Sequence, residues 1–119
     1  MQSDKLTDLS YLKEASAGNK TFIKNMIETF INQTPDLIDL LKKTSEKKDW
    51  FEFRKTMHNF KHTLAMMGIH SLKEHVVFLE TNVKQGAFLD KVPELVLTIE
   101  NACQQALVEL KKDLKTFSE

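Results

Sequence analysis

The sequence predicts an all-α protein: an antiparallel four-helix bundle preceded by a short additional N-terminal helix. Three observations carry this reading. Apolar residues recur at helical spacing through long stretches, only three glycines and two prolines punctuate them, and no segment alternates like a strand over a useful length. A chain of 119 residues suits one compact domain, taken as 1–119. Four amphipathic helices with short connections bury their apolar faces best as an antiparallel bundle.

Leu6, Leu9 and Leu12 mark the short leading helix, which Gly18 and Asn19 stop. Phe22, Ile23, Met26, Ile27, Phe30 and Ile31 then share one helical face. Pro35 is expected to interrupt or kink that helix, because proline has no amide for an i→i−4 bond. Leu37, Ile38, Leu40 and Leu41 continue the apolar stripe, and the polar run from Lys42 to Lys48 ends it. Asp49 is the expected N-cap of the next helix, whose Trp50, Phe53, Met57, Phe60, Leu64 and Met67 form an a/d seam closed by Gly68. Ser71 and Glu74 have the form of a capping box. Leu72, Val76, Leu79 and Val83 follow, up to Gly86, and Pro93 opens a last helix carrying Val92, Val96, Ile99, Cys103, Ala106, Leu110, Leu114 and Phe117.

Composition excludes several classes. Seventeen basic and seventeen acidic residues cancel, so the basic excess of a general nucleic-acid binder is missing. No apolar run approaches the ~18 residues that cross a bilayer, and the first ten residues lack the apolar core of a secretory leader. The single cysteine, Cys103, forms no internal disulfide and reads as a buried, reduced thiol, so a cytoplasmic location is expected. Gly-rich phosphate loops, Walker patterns and H-E-x-x-H are all missing, which leaves no ATP site and no kinase motif.

Any chemistry therefore rests on a few side chains. Of His58, His62, His70 and His75, the first is distinctive. On a helical wheel it points away from the Trp50–Met67 seam, with Phe51, Lys55, Lys61, His62 and Ala65 near it. An outward imidazole beside a lysine at i+3 is an accessible nucleophile next to a cation. A solvated surface histidine fits the same spacing. His70 falls in the turn after Gly68, and His75 reads as an exposed position on the following helix.

The run His58-Asn59-Phe60-Lys61-His62-Thr63-Leu64-Ala65-Met66-Met67-Gly68-Ile69 resembles the signature of histidine-phosphotransfer (HPt) domains. That signature has lysine three residues after the active histidine, a small residue at four and glycine at ten. It continues with an apolar residue, here Leu72, and an acidic or amide residue on the next helix, here Glu80. The resemblance extends over nearly the whole chain, through the short leading helix, the Phe-containing long helix and the tryptophan shortly before His58. His62 departs from it, standing where the family usually keeps a small side chain so that a partner can approach closely. Placing the active residue at His62 instead would put Ala65 and Leu72 in the lysine and glycine places.

The resemblance implies a phosphohistidine carrier in a multistep two-component phosphorelay, and no enzyme. His58 takes a phosphoryl group from a receiver-domain aspartate and passes it to another receiver, with a hybrid sensor histidine kinase upstream. Lys61 offsets phosphoryl charge, and Glu80 orients the imidazole, since His58 and Glu80 lie ten residues before and twelve after the Gly68 turn. Phe51, His62, Ala65 and Gly68 belong to the docking or phosphate vicinity. No cofactor and no metal ligand are expected in the chain, Mg²⁺ coming from the receiver, and a monomer fits transient complexes. Two alternatives stay open: a degenerate HPt-like adaptor that is never phosphorylated, and a helical bundle binding metal through His58 and His62 at i, i+4 with Glu80.

Overall fold

The computed structural model describes residues 5–118; residues 1–4 and 119 of the expected 1–119 domain, including part of the polar start, lie outside the described residues. Among the described residues five α-helices follow one another: α1 (Ser10–Ala15), α2 (Lys20–Glu46), α3 (Trp50–Met66), α4 (Lys73–Gln85) and α5 (Val92–Ser118). Short 3-10 turns, His70–Leu72 and Leu89–Lys91, precede α4 and α5. The four longer helices form a bundle in which α2 packs on α3 and α5, and α4 on α3 and α5.

Capping sets most boundaries. The Asn19 side chain accepts from the Phe22 amide at the start of α2, and Asp49 accepts from the Glu52 amide at the start of α3. Gly86, at φ +70°, closes α4 in the left-handed region. The predicted capping box is not formed. Ser71 lies inside the 3-10 turn, so α4 starts one residue after Leu72 with no side-chain cap.

Pro35 does not interrupt α2, which runs unbroken for 27 residues. One intrahelical bond is forfeited there. Burial of Ile23, Ile27 and Phe30 before the proline, and of Ile38 and Leu41 after it, holds both halves on the same core. Phe22 and Leu40, expected in that stripe, are 42% and 41% exposed and sit at its margin. The α3 seam is core as expected: Phe53, Met57, Phe60, Leu64 and Met67 are buried, and Trp50 is half-buried. Cys103 is buried, and burial together with the Glu100 charge pushes its thiol up to about 12.

The leading segment is tied down across the bundle. Glu109 on α5 accepts from the backbone amides of Leu6 and Thr7 at 2.9 Å each and from the Thr7 hydroxyl at 2.8 Å. Lys5 pairs with Asp113 at 3.0 Å, and the Asp8 amide donates to the Met67 carbonyl at 2.9 Å. Burial pushes the Glu109 carboxyl up, but the Leu6 and Thr7 amides, Gln105 and the Thr7 hydroxyl outweigh it and hold the group below the usual carboxylate range.

A depressed folded-state pKa contributes stability that is complete above the unfolded value and lost as pH falls through the folded one. Glu109→Ala, which strands two backbone amides, should therefore cost about 2 kcal/mol at neutral pH. In urea melts that deficit should shrink as the pH falls below the usual carboxylate range. A deficit unchanged by acid would show that the carboxylate charge is irrelevant.

Candidate functional site

Met57 and Phe60 are fully buried on the inner face of α3, and this fixes the helix against rotation. His58 is turned outward as a result, with 59% of its side chain exposed. The chain doubles back at Gly68, so that α4 lies alongside α3 and brings Glu80 opposite His58. His58 Nδ1 lies 3.3 Å from Glu80 Oε1, and Lys61 Nζ lies 3.1 Å from Glu80 Oε2. Both oxygens of one carboxylate are engaged, each by a different group of α3.

This triangle selects a tautomer. A carboxylate paired with an ammonium has no proton to give and acts only as an acceptor. Nδ1 therefore carries a hydrogen, and in the neutral ring the lone pair sits on Nε2, on the far side of the ring. The Lys61–Glu80 pair adds little to stability, because its side chains are 37% and 25% exposed and such pairs are worth about 0–1 kcal/mol. What it supplies is geometry: a held imidazole with a cation alongside.

The other predicted residues fall in different places. His62 is exposed, and its ring meets that of His58 edge-on, with centroids 5.0 Å apart. It flanks the His58 ring without covering it. Phe51 is 71% exposed and lines the same open groove as His58 and Glu80. Ala65 is exposed in a neighbouring, more apolar groove beyond Lys61. Gly68, grouped with the docking or phosphate vicinity, is buried just past the end of α3 against Asp8, about 15 Å along the helix axis from His58. His75 is half-buried rather than exposed, and its Nδ1 is enclosed without a hydrogen-bond partner. His70 is exposed in the turn before α4.

Sequence spacing missed two groove residues. Arg54 stands one turn before His58 on α3, and Lys84 one turn after Glu80 on α4. The signal was present, as i−4 and i+4 from the two site residues, but it becomes legible only once the helices are paired. Among the described residues, no group of three or more His, Cys, Asp or Glu side chains gathers closely enough to hold a metal ion. The metal alternative through His58, His62 and Glu80 has no such cluster behind it, and Nδ1 is already turned to Glu80.

No described helix is long and apolar enough to cross a membrane. No curated protein and no solved structure matches the chain. A family model does: that of the Hpt domain matches residues 25–109, more than two-thirds of the length, taking in all of α3 and α4. Domains of this family carry phosphoryl groups in two-component phosphorelays, acting as carriers rather than kinases, and interact with response-regulator receiver domains. With a helical bundle around it and most of its length matched, the chain belongs to the histidine-phosphotransfer (Hpt) domain family.

Proposed function

We propose that this chain accepts a phosphoryl group from a receiver-domain aspartate onto Nε2 of His58 and delivers it to the aspartate of a second receiver. The observation that carries the reading is the His58–Glu80–Lys61 triangle. Nδ1–H donates to Glu80, so the Nε2 lone pair faces outward and attacks the phosphorus of the acyl phosphate. The new N–P bond forms as the P–O bond to the aspartate breaks, and the electron pair leaves with the aspartate carboxylate. The ring, still holding its Nδ1 proton, becomes cationic, and Glu80 stabilises it as a buried Asp steadies the imidazolium of a serine-protease triad. Lys61 offsets phosphoryl charge. The return step reverses these movements on another carboxylate.

Phosphoryl transfer of this kind asks mainly for positioning and charge stabilisation. Mg²⁺ belongs to the receiver, whose carboxylates hold it. The first receiver in this reading is that of a hybrid sensor histidine kinase, and the chain acts as a cytoplasmic monomer in short-lived complexes.

The test is transfer from a receiver domain charged with labelled acetyl phosphate. The wild-type chain should gain a phosphate that survives alkali and is lost in acid. Glu80→Ala and Lys61→Ala should each slow the transfer about tenfold, the scale of one hydrogen bond to a charged group. Glu80→Gln, which still offers an acceptor to Nδ1, should recover most of the Glu80 loss. Equal rates in Glu80→Ala and wild type would remove the orienting role.

A further inference from the structure

His62 touches the His58 ring, yet the relay steps above give it no role. It is exposed one turn beyond His58, opposite the buried face of α3 formed by Phe53, Met57, Phe60 and Leu64. Its ring meets that of His58 edge-on, with centroids 5.0 Å apart and planes at 87°. Among the described residues its ring nitrogens take part in no hydrogen bond. The two polar neighbours of His58 on α3 lie on different sides of it. Lys61 lies ~60° around the helix toward α4, and His62 lies ~40° around in the other sense. Glu80 holds the Lys61 ammonium at 3.1 Å, on the Nδ1 side of the His58 ring. Nε2, which takes the phosphoryl group, is turned away from that pair.

We infer that His62 is a phosphoryl-binding residue: once His58 is phosphorylated on Nε2, an N–H of the His62 imidazole donates to a phosphoryl oxygen and holds the group on the chain. The inference rests on the relay reading above and adds the residue that sets how firmly the carrier keeps its cargo. A phosphoryl group on Nε2 projects beyond the His58 ring, into the reach of a second ring whose centroid is only 5.0 Å away. An exposed histidine turns between rotamers, so its N–H can follow the oxygens. Neutral or protonated, the ring keeps at least one N–H to give. A hydrogen bond to an ionised oxygen is roughly twice as strong as one between neutral groups. No covalent bond is made or broken at His62, and phosphorus stays on His58.

A ring at this position also adds bulk in the path of a receiver, and the two effects are separable. Bulk that obstructs the complex raises the barrier equally in both directions and leaves the equilibrium constant unmoved, because that constant depends only on the separate partners. A hydrogen bond made only in the phosphorylated chain shifts the constant toward that chain. The experiment follows single-turnover transfer between one receiver and the chain in both directions, for wild type, His62→Ala and His62→Gln. Forward transfer starts from receiver charged with acetyl phosphate and freed of it, and reverse transfer from isolated phosphorylated chain. In His62→Ala the ratio of reverse to forward rate constants should rise at least about tenfold, the scale of one hydrogen bond to a charged group. His62→Gln, which keeps an N–H donor, should recover part of that change. Both variants should melt with the wild type, since position 62 is exposed. An unchanged ratio in His62→Ala, even with both rates raised, would overturn the assignment, make His62 no more than a steric gate and leave the relay intact. A fall in the ratio would overturn it as well. A wild-type chain that accepts nothing from any charged receiver would overturn both readings.

Discussion

A His58→Gln chain is expected to take up no acid-labile phosphate from a charged receiver, with transfer falling by at least about a thousandfold to the detection limit. The size of the effect follows from chemistry, because an amide nitrogen has its lone pair delocalised into the carbonyl and does not attack phosphorus. Folding should be untouched. His58 is 59% exposed and its hydrogen bond runs across the surface, so its replacement should change stability by no more than about 0.5 kcal/mol. Thermal melts of the two chains should therefore overlay. The comparison is stringent because His62 offers a second imidazole whose ring centroid lies only 5.0 Å away. It has no carboxylate on its Nδ1 and no lysine three residues on, and it should not substitute.

The second large effect is expected at Gly68 and concerns the fold. Its φ of +68° already disfavours a side chain, by about 1–2 kcal/mol. A Cβ there would in addition overlap the Asp8 backbone carbonyl oxygen and stand 2.7 Å from the Asp8 Cβ. Relief requires the leading segment to lift away, which threatens the Asp8–Met67 hydrogen bond and the amides held by Glu109. Gly86 is an internal control, since it has a similar φ of +70° and open space where the Cβ would go. Gly86→Ala should cost about 1 kcal/mol and Gly68→Ala about 3–4 kcal/mol. In a domain of this size that separates the melting temperatures by roughly 10 °C. Similar losses in the two variants would mean that the leading segment does not press on Gly68.

Much of this molecule could be read from spacing. The a/d seam of α3 marked its inner face, and His58 was outward by subtraction from that face. Glu80 followed from counting residues either side of the Gly68 turn, because a reversal makes sequence distance a guide to spatial pairing. What escaped was set by packing between segments far apart in the chain. The union of Arg54 and Lys84 into one groove needs the angle between α3 and α4. The clasp of Leu6 and Thr7 by Glu109 joins residues about a hundred positions apart, and no local pattern announces it. Ser71 misled because a 3-10 turn, His70–Leu72, absorbed it before α4 begins. At Pro35 a local rule yielded to burial on both sides of the proline.

The most direct measurement is a long-range ¹H–¹⁵N NMR spectrum of the chain phosphorylated by a charged receiver, which reports which ring nitrogen of which histidine bears phosphorus. Nε2 of His58 is predicted, with the proton retained on Nδ1 facing Glu80. Phosphorus on Nδ1 of His58, or on either nitrogen of His62, would contradict the account.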